Sequence, residues 1–384
     1  MALPDFVLGL YIGKNVPKEV DRSLMDALQE VEVNQSDDDG LGFPQGFRIT
    51  FAAERSADQR PEYALLQNPL LQPGNRLIVT VALVAKPSVL IDGVITHQQL
   101  TFHSGNGDAS ITIMGRDLSI MLDLEEKVVS HKQMKHRGIV ENILKQYAAL
   151  GIQADVKAPA TPWPQQPLDH GPLQVGTDRA YLRTLAAVNG FVFYLKAGPQ
   201  PGKSVAYWGP RVRTGESQTA LTVNMGTATN VEALHFAFDA LAPSHIVTAV
   251  ADPNDDKAAA VAIQQSKQTP TLVKTAAFSK DNPLVRTQRL PFGGADLVEA
   301  RGRAQALADR STDLVAVGAG TLDAVAYGAI LMAPGLVGVR GAGVQYDGLY
   351  YVKAVKHRIT PATYKEEFTI TREGIGSTTK QVKP

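Results

Sequence analysis

The residues whose types and spacing could do chemistry stand in a few short stretches. Ala197-Gly-Pro-Gln-Pro-Gly202-Lys203-Ser204 follows a strand-like run and fits a relaxed phosphate-loop spacing. In such a loop, backbone N–H groups and the N-terminus of a following helix cradle phosphate oxygens. Here Ala replaces the usual first Gly, Pro199 and Pro201 remove two N–H donors, and Val205 to Pro210 reads as β. The expectation is a hairpin loop that binds no nucleotide. Asp37-Asp38-Asp39-Gly40 offers carboxylates to a cation but lacks the alternating ligands and closing Glu of a calcium loop, so a solvated turn is expected. His131 and His136 are five apart, on different sides of a helix, and no H-E-x-x-H pattern occurs. No Gly-x-Ser-x-Gly elbow is present, and carboxylate pairs cannot be assigned to one substrate from sequence. Basic residues are dispersed and form no stacking platform with the aromatics. These readings assign no catalytic residue, no metal ligand and no cofactor. His97 and His357 read as hydrogen-bonded structural groups, and Trp163 and Trp208 as core or interface anchors.

The chain that must position these residues has 384 of them, enough for two or three domains. Lys+Arg and Asp+Glu balance at 38 each, which leaves no global electrostatic footprint for nucleic acid or an anionic membrane and tolerates self-association. The absence of cysteine excludes disulfides, thiolate zinc sites and a cysteine nucleophile. Met1 to Leu10 has no basic n-region and is interrupted by Pro4 and Asp5, so no signal peptide is expected. No window approaches the ~18 apolar residues of a spanning helix. Synthesis and folding in the cytoplasm follow as the expectation.

Residues 1–115 alternate with the period of half-buried strands. Phe47, Ile49 and Phe51, then Leu77 to Leu83, then Ile111 and Ile113 carry the pattern, with a hairpin turn at Ser104 to Asp108. Ile139, Val140, Ile143, Leu144 and Tyr147 switch to helical spacing, ending before Gly151. Pro159 to Pro172 is a proline-rich connector. Thr177 reads as the N-cap of a second helix with Tyr181, Leu182, Leu185 and Ala186 on its apolar face, Gly190 ending it and Phe191 to Leu195 a strand. Asn254 to Gln265, polar and alanine-rich, is expected to be a peripheral helix. Asp296 and Glu299 form a capping-box arrangement that would carry Leu297, Ala300, Ala304, Leu307 and Ala308 inward.

The end of the chain echoes its beginning. Pro73-Gly74, a strand, Asp92-Gly93 and a strand carrying His97 parallel Pro334-Gly335, a strand, Asp347-Gly348 and a strand carrying His357. Ile111-Thr-Ile113 with Arg116-Asp117 is echoed by Phe368-Thr-Ile370 with Arg372-Glu373. The reading is a mainly β fold with an α+β insertion: two similar β-barrel domains joined by an α/β segment.

Taken in order, Ile91-Asp92-Gly93-Val94-Ile95, Ile111 to Ser119, Thr177 to Ala186, Gly190-Phe191 and Tyr346 to Val352 with His357 resemble the central baseplate hub proteins of contractile tails. These are the phage late control D family and the hub portion of VgrG-type spikes. The likeness runs from about residue 75 to 373. It implies a first β-barrel over 1–120 facing the tube and an α/β connecting domain over 121–203. It further implies a second barrel over 204–373 with a helical insertion at about 254–312, and a polar tail over 374–384. Signature positions for fold or interface are Gly93, Asp117, Asp178, Tyr181, Leu182, Leu185, Gly190, Phe191, Gly348, Tyr350 and His357. The resemblance implies a structural protein without enzyme activity that trimerises into a pseudo-six-fold ring. Its partners would be itself, a separate spike protein, a tail tube or tube-initiator protein and other baseplate proteins, with no nucleic-acid contact and no membrane insertion. It would be assembled into a phage tail baseplate or a contractile injection particle. The alternatives are a carbohydrate- or peptidoglycan-cleaving enzyme and a glycan-binding tail module.

Overall fold

The computed structural model describes residues 6–14, 16–37, 44–53, 64–83, 86–102, 109–160, 171–252, 255–278, 282–292 and 296–379. The alternating N-terminal segments form β1 (Phe6–Gly13), β2 (Lys18–Glu19), a short helix α1 (Arg22–Asp26), β3 (Leu28–Ser36), β4 (Gly46–Ala53), β5 (Arg76–Leu83), β6 (Lys86–Phe102) and β7 (Ala109–Asp117). An α+β unit follows: β8 (Glu126–Ser130), α2 (His136–Lys145), β9 (Ile152–Val156), β10 (Leu173–Thr177), α3 (Asp178–Val188), β11 (Val192–Ala197) and β12 (Ser204–Gly209). The rest is again mostly strands. β13 (Gln218–Thr222), β14 (Ala233–Phe238), β15 (Ser244–Asp252), β16 (Asp255–Ile263), β17 (Val273–Ala276) and β18 (Arg286–Arg289) precede α4 (Leu297–Thr312). β19 (Ala316–Asp323), α5 (Ala324–Tyr327), β20 (Gly335–Arg340), β21 (Gly348–Ile359), β22 (Tyr364–Arg372) and β23 (Gly374–Ser377) complete it.

The fold is mainly β with an α+β insertion, as the periods imply. Its two β regions repeat one strand order. In the first, the order across the sheet is β3-β4-β7-β6-β5-β1; in the second it is β14-β19-β22-β21-β20-β13. Numbering the six strands of each region in chain order gives the same permutation twice. All neighbours are antiparallel except β13 and β20, which are parallel where β1 and β5 are antiparallel. The two regions are fused: β3 pairs with β21, so both belong to one 13-stranded sheet. One apolar core runs through both, from Leu10, Val33, Phe51 and Ile111 to Leu322, Tyr350 and Ile370.

The α+β unit has its own core, in which Ile139, Ile143, Leu182, Leu185 and Trp208 pack together. Thr177 caps α3 by accepting from Ala180 N at 3.2 Å, and the Trp208 indole donates to the Leu182 carbonyl at 3.2 Å. Gly151 and Gly190 take left-handed φ of +83° and +69° at the turns that end their helical segments. The 197–204 segment closes the antiparallel β11–β12 hairpin, with Ala197 opposite Ser204, and is no phosphate loop.

Several boundaries differ from the sequence reading. Residues 255–263 form strand β16, not a helix. Alanine favours a helix locally, but tertiary pairing overrides that preference: antiparallel pairing with β15 buries Val261 against Ala304 and Ala308 of α4. In α4, Asp296 accepts from Glu299 N at 2.8 Å and Ala300, Ala304 and Ala308 are buried, but Leu297 and Leu307 are exposed. β12 joins β9 and β11 in the α+β unit, which therefore extends past 203 to Gly209. Gly374–Ser377 is not tail but a strand paired with β17. Trp163, the 104–108 turn, most of the 159–172 connector and Asp38 to Gly40 lie outside the described residues.

Small residues permit close approach where β4, β7 and β6 lie side by side. A Cβ on Gly115 would stand 2.1 Å from the Val94 carbonyl oxygen and 2.3 Å from Phe47 Cζ, whereas one on Gly302 of α4 meets nothing within 4 Å. Gly115→Val is therefore expected to lower stability by about 1–3 kcal/mol through overpacking. Gly302→Ala should raise it by up to about 1 kcal/mol through helix propensity. Urea unfolding of the two variants beside wild type checks both signs.

Candidate functional site

The chemistry-bearing side chains fall into buried clusters where the units meet. The largest centres on Asp37, just past the end of β3 and fully buried. Its carboxylate accepts from Arg211 Nε at 2.8 Å, Lys353 Nζ at 3.1 Å and the Tyr351 hydroxyl at 3.3 Å. Arg211 also pairs with Asp313, just after α4. Arg213 lies 2.9 Å from Glu373, whose other carboxylate oxygen accepts from Leu272 N at 2.6 Å. One ionic network thus ties the first β region, the exit of the α+β unit, α4 and β21. The expectation of a solvated turn at Asp37 is corrected: the carboxylate lies inside, satisfied by residues far away in sequence.

On the central sheet, His357 Nδ1 lies 3.2 Å from Glu366 and 2.9 Å from the Tyr364 hydroxyl, and all three residues are fully buried. Glu366 also accepts from Leu331 N at 3.1 Å, fixing the loop before β20. His97 is exposed and its ring bonds the neighbouring Thr96 hydroxyl, so the two histidines of the sequence echo do not play matching roles. Asp92 forms a two-pronged pair with Arg76, at 2.7 and 2.6 Å. Burial raises the Asp92 carboxyl above its ordinary value, an effect the Arg76 contacts only partly offset. Asp178 accepts from Lys127, the Tyr147 hydroxyl and the Gln174 amide, each at 2.7 Å. Burial alone would raise its pKa, but these contacts outweigh burial and hold the carboxyl below its usual range.

The eleven signature positions do not converge on one site. Asp178, Tyr181, Leu182, Leu185, Gly190 and Phe191 belong to α3 and the turn after it. Gly93 and Asp117 face each other in the β6–β7 register, and Asp117 accepts from the Ser119 hydroxyl at 2.8 Å. Gly348, Tyr350 and His357 lie along β21. Gly348 has φ of +127°, and a Cβ there would stand 3.1 Å from the Arg372 guanidinium, which stacks 4.2 Å over the Tyr350 ring. The sequence reading missed the Asp37 network. Its only local signal is Lys353, a cation within the apolar run of β21.

Among the described residues, no group of three His, Asp or Glu stands close enough to hold a metal ion. A groove of about 960 Å³ runs between the α+β unit and α4, edged by Lys157, Tyr207, Arg213, Glu299, Arg303 and Asp309. Several of its charges are already engaged: Lys157 with Asp155, Arg303 with Glu299, Arg213 with Glu373. No helix among the described residues is long and apolar enough to cross a membrane.

The model of the Alg8 N-terminal domain family matches residues 48–361, most of the chain. The chain belongs to the Alg8 N-terminal domain family. This corrects the identification with the late control D and VgrG hub families: the short signatures behind it lie on strand pairs, turns and a packed helix, features that follow from fold. The expectation of a chain without enzyme activity is corrected with it, because the hub identification carried that expectation and the matched family is another. No curated protein matches the sequence. Among solved structures, the chain resembles a tail protein from Neisseria meningitidis at 13% identity, TM-score 0.63, covering 97% of this chain and 98% of that one. It resembles the tail protein of prophage MuSo2 from Shewanella oneidensis at 13% identity, TM-score 0.65, with 96% and 98% covered. A component of the Escherichia coli type VI secretion system matches at 15% identity, TM-score 0.52, with 93% and 77% covered. At these identities the likeness establishes a shared fold.

Two measurements follow from the buried clusters. Asp37→Asn leaves Arg211 and Lys353 buried beside a neutral amide, and is expected to cost about 3–5 kcal/mol. Adding Lys353→Met should recover part of that loss, as a double-mutant cycle in urea would register. His136, at the start of α2, is held down to about 4 from 6.5 by burial and by Arg303. Its folded value lies below its unfolded one, so its contribution is complete above about pH 6.5 and is lost as pH falls toward 4. The linked loss is about 3 kcal/mol at the acid end. His136→Asn should show a shallower decline in stability between pH 7 and 4.5, followed by urea unfolding.

Proposed function

We propose that the chain is a structural component of a phage-type tail or contractile injection apparatus. Three copies would close a ring of six alike β units, linking a six-fold tail tube to a three-fold spike. The observation that carries the reading is the repeated strand order, β3-β4-β7-β6-β5-β1 and β14-β19-β22-β21-β20-β13, fused through β3 and β21. A chain holding two equivalent units presents an even number of similar positions per ring, which reconciles two rotational symmetries without a second gene product. The shared fold with tail proteins and a type VI secretion component supports the same reading. The signature glycines and α3 residues would shape the units, and the partners would be further copies, a tube protein, a spike and other baseplate parts. Assembly would take place in a phage or injection particle.

The test is the mass of the purified assembly. Light scattering or native mass spectrometry should give three times the chain mass of 41.2 kDa for the protein alone, or a complex holding three copies of the chain after mixing with the spike protein of the same particle. A monomer under both conditions contradicts the ring.

A further inference from the structure

The in-chain seam has a counterpart that none of the described residues of the same chain supplies. At the seam, Val31 stands opposite Ile359, Val33 opposite His357 and Gln35 opposite Val355. The repeat locates the matching positions. β6 and β21 each carry one register shift against the next strand, after Ile95 and after Val352, which sets Leu100 level with His357. Following the β4–β7 and β19–β22 pairs outward then sets Phe236 of β14 level with Val33 of β3. Among the described residues β14 pairs with β19 alone. Among the described residues, β6 from His97 to Thr101 likewise has β7 on one side and no strand on the other. One repeat thus lacks what β21 gives β3, and the other lacks what β3 gives β21.

We propose that β14 of one copy pairs antiparallel with β6 of a second copy, with Phe236 opposite Leu100 and Phe238 opposite Gln98, repeating the β3–β21 seam between chains. The side chains suit this register. Phe238 and Phe102 are 42% and 66% exposed in the single chain, while Leu234, Phe236 and Leu100 sit half-buried at the rim of the core. The register brings Leu234 to Phe102 and Phe236 to Leu100 on the core face, and no like charges face each other. Exposed edges are normally guarded by Lys, Pro or very short strands. β2, with only Lys18 and Glu19, guards the β1 edge in this way. Neither Ala233–Phe238 nor His97 to Thr101 contains Lys, Arg, Asp, Glu or Pro. Because the two edges differ, the contact is head-to-tail and must close into a ring to end. The inference rests on the proposed ring only for the number of copies.

The chain has no cysteine, so the register can be read by crosslinking. Phe238→Cys with Gln98→Cys in one chain, oxidised and run without reductant, should give covalent oligomers ending in a closed species of three. Ala237→Cys with Gln98→Cys places the thiols on opposite faces and should stay uncrosslinked. If the first variant folds and assembles like wild type by circular dichroism and light scattering yet forms no crosslink, the seam is overturned while the trimer stands. Equal crosslinking by both pairs overturns the register. A ladder closing at another number supports the seam and overturns the trimer.

Discussion

Backbone N–H and C=O groups inside a protein must find partners, and a strand edge carries a whole row of them. The pairing of β3 with β21 meets that demand and holds the two β regions in one sheet. Its inner face is apolar at Val31 and Ile359. Its outer face pairs Lys356 with Glu32 at 3.2 Å and Arg358 with Glu30. Just past the end of β3, Asp37 gathers Arg211 and Lys353, so the seam also anchors the α+β unit and, through Asp313, the α4 region. A buried charge without its partner is far costlier than the same charge paired. The network therefore tolerates few alternative placements of these units, whatever its net contribution to stability.

The same geometry is built from different chemistry in the two repeats. Leu100 faces Ile111 across β6 and β7; at the matching place on β21 and β22, His357 faces Glu366. In the polar version the Tyr364 hydroxyl bonds His357 Nδ1, and Leu331 N, from the loop before β20, donates to Glu366. A buried cluster bonded in this way holds register, because a slip would take Glu366, the His357 Nδ1 and Leu331 N from these partners at once. In the apolar version register has other sources: the shift at Ile95, shared with its counterpart at Val352, and the close approach at Gly93 and Gly115.

How much of this could be read in the sequence depended on distance along the chain. Local patterns were faithful: the alternation through Leu77 to Leu83, the caps at Thr177 and Asp296, and the hairpin turn over 197–204 all correspond to observed elements. The echo between the two ends corresponds to a repeated meander, although it matched His97 with His357 where the structure matches Leu100. Spacing shifts in the intervening hairpins blurred the register by a few residues. The Ala258 to Ile263 run misled because alanine favours a helix in isolation, and only the presence of β15 and α4 makes a strand the better burial. The Asp37 network was invisible for the opposite reason. Its members lie 174 and 316 residues apart, and nothing local distinguishes a buried Asp from one in a solvated turn.

The one place where the repeats diverge in topology has a cause in connectivity. β1 runs antiparallel to β5, but β13 runs parallel to β20. β13 is entered from β12 through Arg211 and Arg213, both held in place by Asp37, Asp313 and Glu373. With its approach fixed there, the chain enters the sheet edge from the junction and runs parallel to β20. A parallel pair forms slightly weaker backbone bonds, and side chains reinforce it. Gln218 both donates to the Met332 carbonyl at 2.9 Å and accepts from Met332 N at 2.8 Å, and the Tyr327 hydroxyl donates to the Thr219 carbonyl. The reversed strand thus stands directly after the anchored α+β unit that lies between the two copies of one β design.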